Sequence, residues 1–302
     1  MKYGYIGLGN LGKHLAASLR RAGLEVVVHD LHRELAEPLL AQGCRWADSP
    51  RALAAEVDCV ITCLPSPAAS NAVLTGPEGV LQGLRRGGTW IEMSTTDERE
   101  IKRVAALARE HGVATLECPV TGGVHRAAAG DITVLVGGEQ AVFEQHRVAL
   151  EAMGGEIFYM GELGKASVIK VITNMLAFIH LVAAGEALML AKRGGLDLAQ
   201  AFHAIKASSG NSFVHETESQ LVLNGSYNIN FTMDLACKDL GFAYEYGRKF
   251  GVPLEIAGLT EQIFRRGRAQ YGGDAQSTQI VKLLEDALGT DLRAPGFPSI
   301  LE

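Results

Sequence analysis

The run Gly7-Leu8-Gly9-Asn10-Leu11-Gly12 constrains this chain more than any other, because it joins an apolar stretch, Tyr3 to Ile6, to a helical pattern from Lys13 to Ala22. A strand, a tight turn and a helix start in that order make a cradle for a diphosphate. Backbone N–H groups approach the phosphates closely, and the helix N-terminus presents its positive dipole end. In this reading Gly7 permits the turn, Gly9 removes the Cβ that would strike the phosphates, and Gly12 lets the helix pack close to the strand. A glycine-rich turn alone does not establish a nucleotide site, so its surroundings decide.

The first of those surroundings is a second β-rich run, Leu24 to His29, that ends in Asp30, eighteen positions beyond Gly12. A carboxylate there accepts hydrogen bonds from the adenosine ribose hydroxyls and repels a ribose phosphate, which favours NAD over NADP. His29, His32 and Arg33 lie beside it and offer positive charge to a phosphate, so NADP stays open.

Strands and helices then alternate. Apolar runs at Asp58–Pro65, Thr89–Met93, Ala114–Cys118, Ile132–Val136 and Glu156–Met160 read as strands. Between them, Leu35–Gln42, Ser49–Glu56, Asn71–Leu84, Asp97–His111 and Glu139–Met153 read as helices. That alternation predicts an α/β, Rossmann-type, mostly parallel sheet. In such sheets a ligand lies beyond the carboxyl ends of the strands, where Leu64-Pro65, Ser94-Thr95 and Pro119 to Gly123 fall. The pattern closes near Gly161, giving an NAD(P)-binding domain over residues 1–162.

Residues 163–302 read as an all-helical domain for substrate binding and oligomerisation, joined to the first through a long helix from Lys165 to Lys192. Further helices are expected at Leu198–Lys206, Phe213–Leu223, Asp234–Phe250, Glu255–Tyr271 and Ile280–Leu288. Lys170 and Asn174 lie four apart and so share one face of the long helix. A lone helical lysine ordinarily snorkels to the surface. A lysine opening a long apolar helix just beyond a cofactor domain can instead exchange a proton with a substrate oxygen. Lys238-Asp239, taken alone, reads as a solvated face.

The formal net charge of −6 argues against a protein whose main task is to coat nucleic acid or an anionic membrane. The apolar region Val168 to Leu190 is interrupted by Lys170, Asn174, His180 and Glu186, and reads as a buried helix rather than a membrane span. The five cysteines include no C-x-x-C pair and are expected as buried thiols; no metal is expected. Met1 leads straight into a strand pattern without a basic and apolar leader, so the expected location is cytoplasmic.

Taken together, the motifs resemble the β-hydroxyacid dehydrogenase family over nearly the whole chain. Gly7 to Gly12 looks like that family's cofactor fingerprint, and Glu117-Cys118-Pro119-Val120-Thr121-Gly122-Gly123 looks like its substrate loop, usually D-A-P-V-S-G-G. Gly161 to Asn174 is similar to its catalytic stretch, G-x-x-G-x-G-x-x-x-K-x-x-N-N, and Lys238-Asp239 matches its carboxy-terminal K-D. The resemblance implies reversible NAD(P)-dependent oxidation of a small β-hydroxy acid to its semialdehyde or keto form, by a homodimer or homotetramer. It makes Lys170 the catalytic acid/base and Asn174 the residue that orients the substrate. It makes Thr121, Gly122 and Gly123 the carboxylate-holding loop, Ser94-Thr95 a loop near the nicotinamide and Lys238 a lysine that closes over the cleft. Lys238 and the strand-end residues Leu64 and Pro65 are expected to contact the cofactor as well.

Several positions depart from the family pattern. Thr121 replaces a serine, Thr173 the first asparagine of a pair, Ala166 a glycine, and Glu92 a frequent aspartate. These departures bear on which acid is oxidised. Three other readings of the chain are an imine reductase on the same architecture, which retention of Lys170 disfavours, a phosphogluconate-type decarboxylating dehydrogenase, which the short helical half and the lack of an obvious phosphate-binding basic cluster disfavour, and a non-catalytic NAD(P)-binding scaffold.

Overall fold

The computed structural model describes residues 1–301 and divides into two compact units, Met1–Lys170 and Val171 onward. The first unit is built on a nine-stranded sheet: β1 (Lys2–Ile6), β2 (Glu25–His29), β3 (Arg45–Trp46), β4 (Cys59–Thr62), β5 (Thr89–Glu92), β6 (Ala114–Glu117), β7 (Val120–Thr121), β8 (Ile132–Gly138) and β9 (Gly154–Gly161). Its helices are α1 (Gly12–Arg21), α2 (Glu37–Ala41), α3 (Pro50–Ala55), α4 (Pro67–Thr75), α5 (Glu98–Glu110), α6 (Gly123–Ala129) and α7 (Gln140–Met153). Then come α8 (Lys165–Arg193), α9 (Leu198–Lys206), α10 (Phe213–Asn224), α11 (Met233–Phe250), α12 (Glu255–Tyr271) and α13 (Lys282–Leu288).

Strands run in the order β3-β2-β1-β4-β5-β6-β8-β7, with β9 paired to β8. The six strands from β3 to β6 are mutually parallel, and β8 is antiparallel to β6 and β7. The chain steps outward from β1 through β2 to β3, then returns to the other side of β1 for β4. The loops after β1 and β4 therefore flank the topological switch point, the place where open α/β sheets bind ligands.

Strand periodicity of two explains the layering. Tyr3, Tyr5, Val26, Val28, Cys59, Ile61, Ile91 and Met93 enter one apolar cluster with Leu15 and Leu19 of α1 and Phe143 and Leu150 of α7. The intervening Ile6, Val27, Val60 and Trp90 enter another, with Leu53 of α3 and Ile101 and Val104 of α5. Both faces are covered, as a parallel sheet requires.

The second unit is helical, with Phe178, Leu181 and Leu188 of α8 packed among Val222, Met233, Leu240 and Phe264. The most apolar eighteen-residue window of α8 has a mean hydropathy of 1.8, so by length and composition this helix is apolar enough to cross a membrane, contrary to the sequence expectation. Of that window 39% is buried, and Phe178, Leu181 and Leu188 of the helix enter the helical core.

Local differences from the sequence reading have local causes. The expected helix Asn71–Leu84 is α4, which starts earlier because Ser66 accepts from Ala69 N–H and Pro67 occupies the first turn, and which stops at Gly76. Val80–Gln82 is a separate 3-10 turn. Leu35–Gln42 splits into a 3-10 turn, Arg33–Ala36, and α2, while Ile280–Leu288 splits into Ser277–Val281 and α13. The short strands β3 and β7 and the helix α6 were not foreseen, and Cys63 and Cys237 are only partly buried.

Candidate active site

The glycine-rich loop is shaped by contacts that exclude side chains at two of its glycines. Gly7 has φ +99°, and a Cβ there would lie 2.2 Å from the Cys63 carbonyl oxygen, so the loops after β1 and β4 touch at the switch point. At Gly12 a Cβ would lie 2.0 Å from the Gly7 carbonyl oxygen. Gly9 differs, since a Cβ there meets no protein atom within 4 Å. The protein's own packing does not require glycine at position 9, and the space beside it is open. Asn10 is exposed and Leu11 half-buried, while Leu8 is buried. α1 begins without a side-chain cap and without an acidic residue in its first turn, which leaves its positive end suited to an anion. These features fit a dinucleotide phosphate.

Asp30 lies just past β2 with its carboxylate turned to the same loop. Oδ2 accepts from Leu8 N–H at 2.6 Å and Oδ1 from His32 N–H at 2.9 Å. A carboxylate has about four acceptor sites, so capacity for ribose hydroxyls remains. The basic neighbours are each engaged. His29 is buried with Nδ1 2.9 Å from the Ala47 carbonyl, His32 faces Glu34 at 3.2 Å, and the Arg33 guanidinium lies 5.5 Å from the Trp46 ring centroid.

The loops after β4 and β5 are tied together, as Leu64 N–H donates to Ser94 Oγ at 2.7 Å. Ser94 N–H in turn donates to Glu92 Oε1 at 2.8 Å, and burial pushes the Glu92 carboxyl above the usual carboxylate range. Ser94 is thus buried and structural, while Pro65 is exposed and Thr95 half-buried. Thr121 ends β7, paired with Thr133 of β8, so this part of the expected loop is strand. Gly122 (φ +123°) and Gly123 (φ +89°) turn the chain from β7 into α6 in conformations that favour glycine.

Lys170 is 7 % exposed, which sets aside the snorkelling reading. The helix that carries it is held by Glu117, the last residue of β6. Glu117 Oε1 accepts from Gly164 N–H and from Ala166 N–H (3.0 Å), while Oε2 accepts from Ser167 N–H (3.1 Å) and Ser167 O–H. Burial raises the pKa of this carboxyl, and the four donors oppose that shift.

In the second unit Asn174, 9 % exposed, donates from Nδ2 to Asp239 Oδ2 at 2.6 Å. Asp239, fully buried on α11, also faces Lys238, whose Nζ lies 2.9 Å from Oδ1 and 5.3 Å from the Phe242 ring centroid. This bond places the Asn174 amide with its nitrogen toward Asp239 and its oxygen turned away.

Gly7 to Gly12, Asp30, Leu64, Pro65, Ser94, Thr95, Thr121 to Gly123 and Lys170 therefore belong to the first unit, and Asn174 and Lys238 to the second. Sequence reasoning did not give Glu117 or Asp239 a role. The available signal was a carboxylate at a position where the surrounding run, as in Leu116-Glu117-Cys118, is buried.

Residues 2–161 match the NAD binding domain of 6-phosphogluconate dehydrogenase, and residues 164–284 match a domain described as NAD-binding of NADP-dependent 3-hydroxyisobutyrate dehydrogenase. The chain is 32% identical over 293 residues to 2-(hydroxymethyl)glutarate dehydrogenase of Eubacterium barkeri, covering 97% of each chain. It is 31% identical over 280 residues to L-threonate dehydrogenase of Escherichia coli K12, covering 92% of this chain and 93% of that one. The solved structure of 3-hydroxyisobutyrate dehydrogenase from Salmonella typhimurium matches with a TM-score of 0.88 at 29% identity, covering 94% of this chain and 99% of the other.

Proposed function

We propose a substrate class and a set of residue roles from one premise: this chain belongs to the β-hydroxyacid dehydrogenase family. It is an NAD(P)-dependent oxidoreductase acting on CH–OH donors. Its substrate is a small acid with the hydroxyl one carbon removed from the carbon bearing the carboxylate. The names of its relatives support that class, since 2-(hydroxymethyl)glutarate and 3-hydroxyisobutyrate both carry a hydroxymethyl group on the carbon next to a carboxylate.

Gly7 to Gly12 hold the dinucleotide phosphates, and Asp30 accepts from the adenosine ribose, with NAD preferred over NADP. When bound, the nicotinamide supplies the two-electron acceptor for the substrate C–H bond. The chain's own residues do the rest. Thr121 O–H and the backbone at Gly122 and Gly123 hold the substrate carboxylate, and Asn174 orients the hydroxyl. Lys170 Nζ takes the hydroxyl proton in oxidation and returns it in reduction. The observation that carries this reading is the burial of both Lys170 and Asn174, four residues apart on one helix, with the Asn174 amide fixed by Asp239. A homodimer or homotetramer is proposed on the apolar residues the single chain leaves exposed, including Leu190, Ile256 and Leu259.

The test is a substrate screen by NAD(P)H absorbance over 3-hydroxyisobutyrate, L-threonate, glycerate, 4-hydroxybutyrate and 2-(hydroxymethyl)glutarate. Each acid is paired with the matched alcohol lacking the carboxylate. A charge-assisted carboxylate contact predicts a kcat/KM advantage of about a hundredfold for the acid. Equal turnover of acid and alcohol overturns the substrate class.

A further inference from the structure

An α-helix leaves its first N–H groups without intrahelical acceptors, and a side chain at the N-cap usually supplies one. At the start of α8 the residue is Gly164, which has no side chain. The acceptor comes instead from Glu117, 47 residues earlier, on a different element. Both of its oxygens are used, each twice, and every partner belongs to Gly164, Ala166 or Ser167. The sheet makes room for this carboxylate. Glu117 is in register with Gly137 of β8, and a Cβ at Gly137 would lie 2.3 Å from Glu117 Oε1.

Lys170 follows Ser167 by three residues and Ala166 by four, which puts all three on one face of α8. Helical side chains lean back toward the N-terminus, so the Lys170 chain lies over the turn that Glu117 grips. A bidentate grip on consecutive N–H groups fixes both the axial position and the rotation of that turn. Proton exchange demands such a fix, because a displacement of about 1 Å lowers rates by about a hundredfold.

We propose that Glu117 is a positioning residue that sets Lys170 in place by clamping the first turn of α8 to the end of β6. The proposal rests on the reading of Lys170 as the proton-exchanging group. The four hydrogen bonds of the Glu117 carboxylate all go to the first turn of α8, so its loss is expected to act on turnover and not on cofactor binding.

The test uses the full-length protein with Glu117→Gln, Glu117→Asp, Ser167→Ala, Lys170→Ala and the double variant of Glu117→Gln with Lys170→Ala. Glu117→Gln keeps size but turns part of the acceptor into a donor. It is expected to lower kcat by about thirtyfold to a hundredfold with KM for NAD(P) changed by no more than about twofold. Glu117→Asp recovers part of that loss, and Ser167→Ala, which removes one of the donors, lowers kcat by about threefold to tenfold. The double variant is expected to be no slower than Lys170→Ala alone. Circular dichroism and melting curves establish folding, and should Glu117→Gln not fold, Ser167→Ala and Glu117→Asp decide. A folded Glu117→Gln protein with unchanged kcat, or a loss that persists in full in the Lys170→Ala background, overturns the clamp. Unchanged turnover in Lys170→Ala overturns the reading beneath it; a large loss there beside normal Glu117→Gln turnover sinks the clamp alone.

Discussion

The Asn174 side-chain amide donates to the buried Asp239 carboxylate at 2.6 Å, linking α8 to α11 inside the helical unit. Hydrogen bonds to charged groups contribute about 1.5–3 kcal/mol, and losing this one frees the amide to rotate. Asp239→Asn is therefore expected to lower kcat/KM for the hydroxy acid by about tenfold to a hundredfold, read by steady-state kinetics. Wild-type kinetics in that variant would deny Asp239 its orienting role.

Lys170→Ala should lower kcat by about two to four orders of magnitude, the range for loss of a general acid/base. Cofactor affinity, measured by nucleotide fluorescence titration, should change little. Retained kcat removes Lys170 from the chemistry.

Two glycines of the same loop are expected to respond in opposite ways. Gly9→Ala adds a Cβ that meets no protein atom within 4 Å, so the melting temperature should stay within about 2 °C while KM for NAD(P) rises by about tenfold or more. Gly12→Ala drives a Cβ to within 2.0 Å of the Gly7 carbonyl oxygen and should destabilise the fold itself, by about 2 kcal/mol or more. Equal thermal shifts in the two variants would contradict the assignment of Gly9 to the ligand.

Asp30 bridges the Gly7–Gly12 loop and the end of β2, so Asp30→Ala removes the acceptor for Leu8 N–H as well as the carboxylate proposed to face the ribose. The expected outcome is a fall of about tenfold in kcat/KM with NAD and a shift of the NAD to NADP ratio toward NADP. A wild-type enzyme that already prefers NADP contradicts the role given to Asp30.

His146 supplies a pH signature for the fold. Burial lowers its pKa from 6.5 to about 4, with Nδ1 3.2 Å from the Tyr3 hydroxyl. The unfolded chain binds this proton below about pH 6.5 and the folded chain does not, so the stabilisation is complete above 6.5 and is lost as pH falls toward 4. Urea unfolding between pH 7 and 4.5 should show wild type losing up to about 3 kcal/mol more than His146→Gln. Parallel stability curves would show that this imidazole is not held neutral.

Most of the architecture was legible because buried parallel strands such as Val26-Val27-Val28 and Cys59 to Thr62 read as unbroken apolar runs. The glycine spacing marked the turn between β1 and α1 for the same local reason. What escaped was nonlocal. Val120–Thr121 is a strand only because β8 pairs with it, and its own neighbours, Pro119 and Gly122, signal a loop. The burial of Lys170 could not be read from its neighbours, and neither could the partners of Glu117 and Asp239, which lie 47 and 65 residues away. Ser66-Pro67 was a local signal of helix start that the apolar pattern beginning at Asn71 obscured.

The facing of Glu117 by Gly137 has a consequence for how this chain can drift in sequence. The glutamate oxygen occupies the place a methyl group at position 137 would need. An alanine at 137 becomes admissible only when the residue at 117 shortens, so aspartate at 117 widens the choice at 137 and glutamate closes it. The two positions face each other across adjacent antiparallel strands, and substitutions that are damaging singly are expected to be tolerated together.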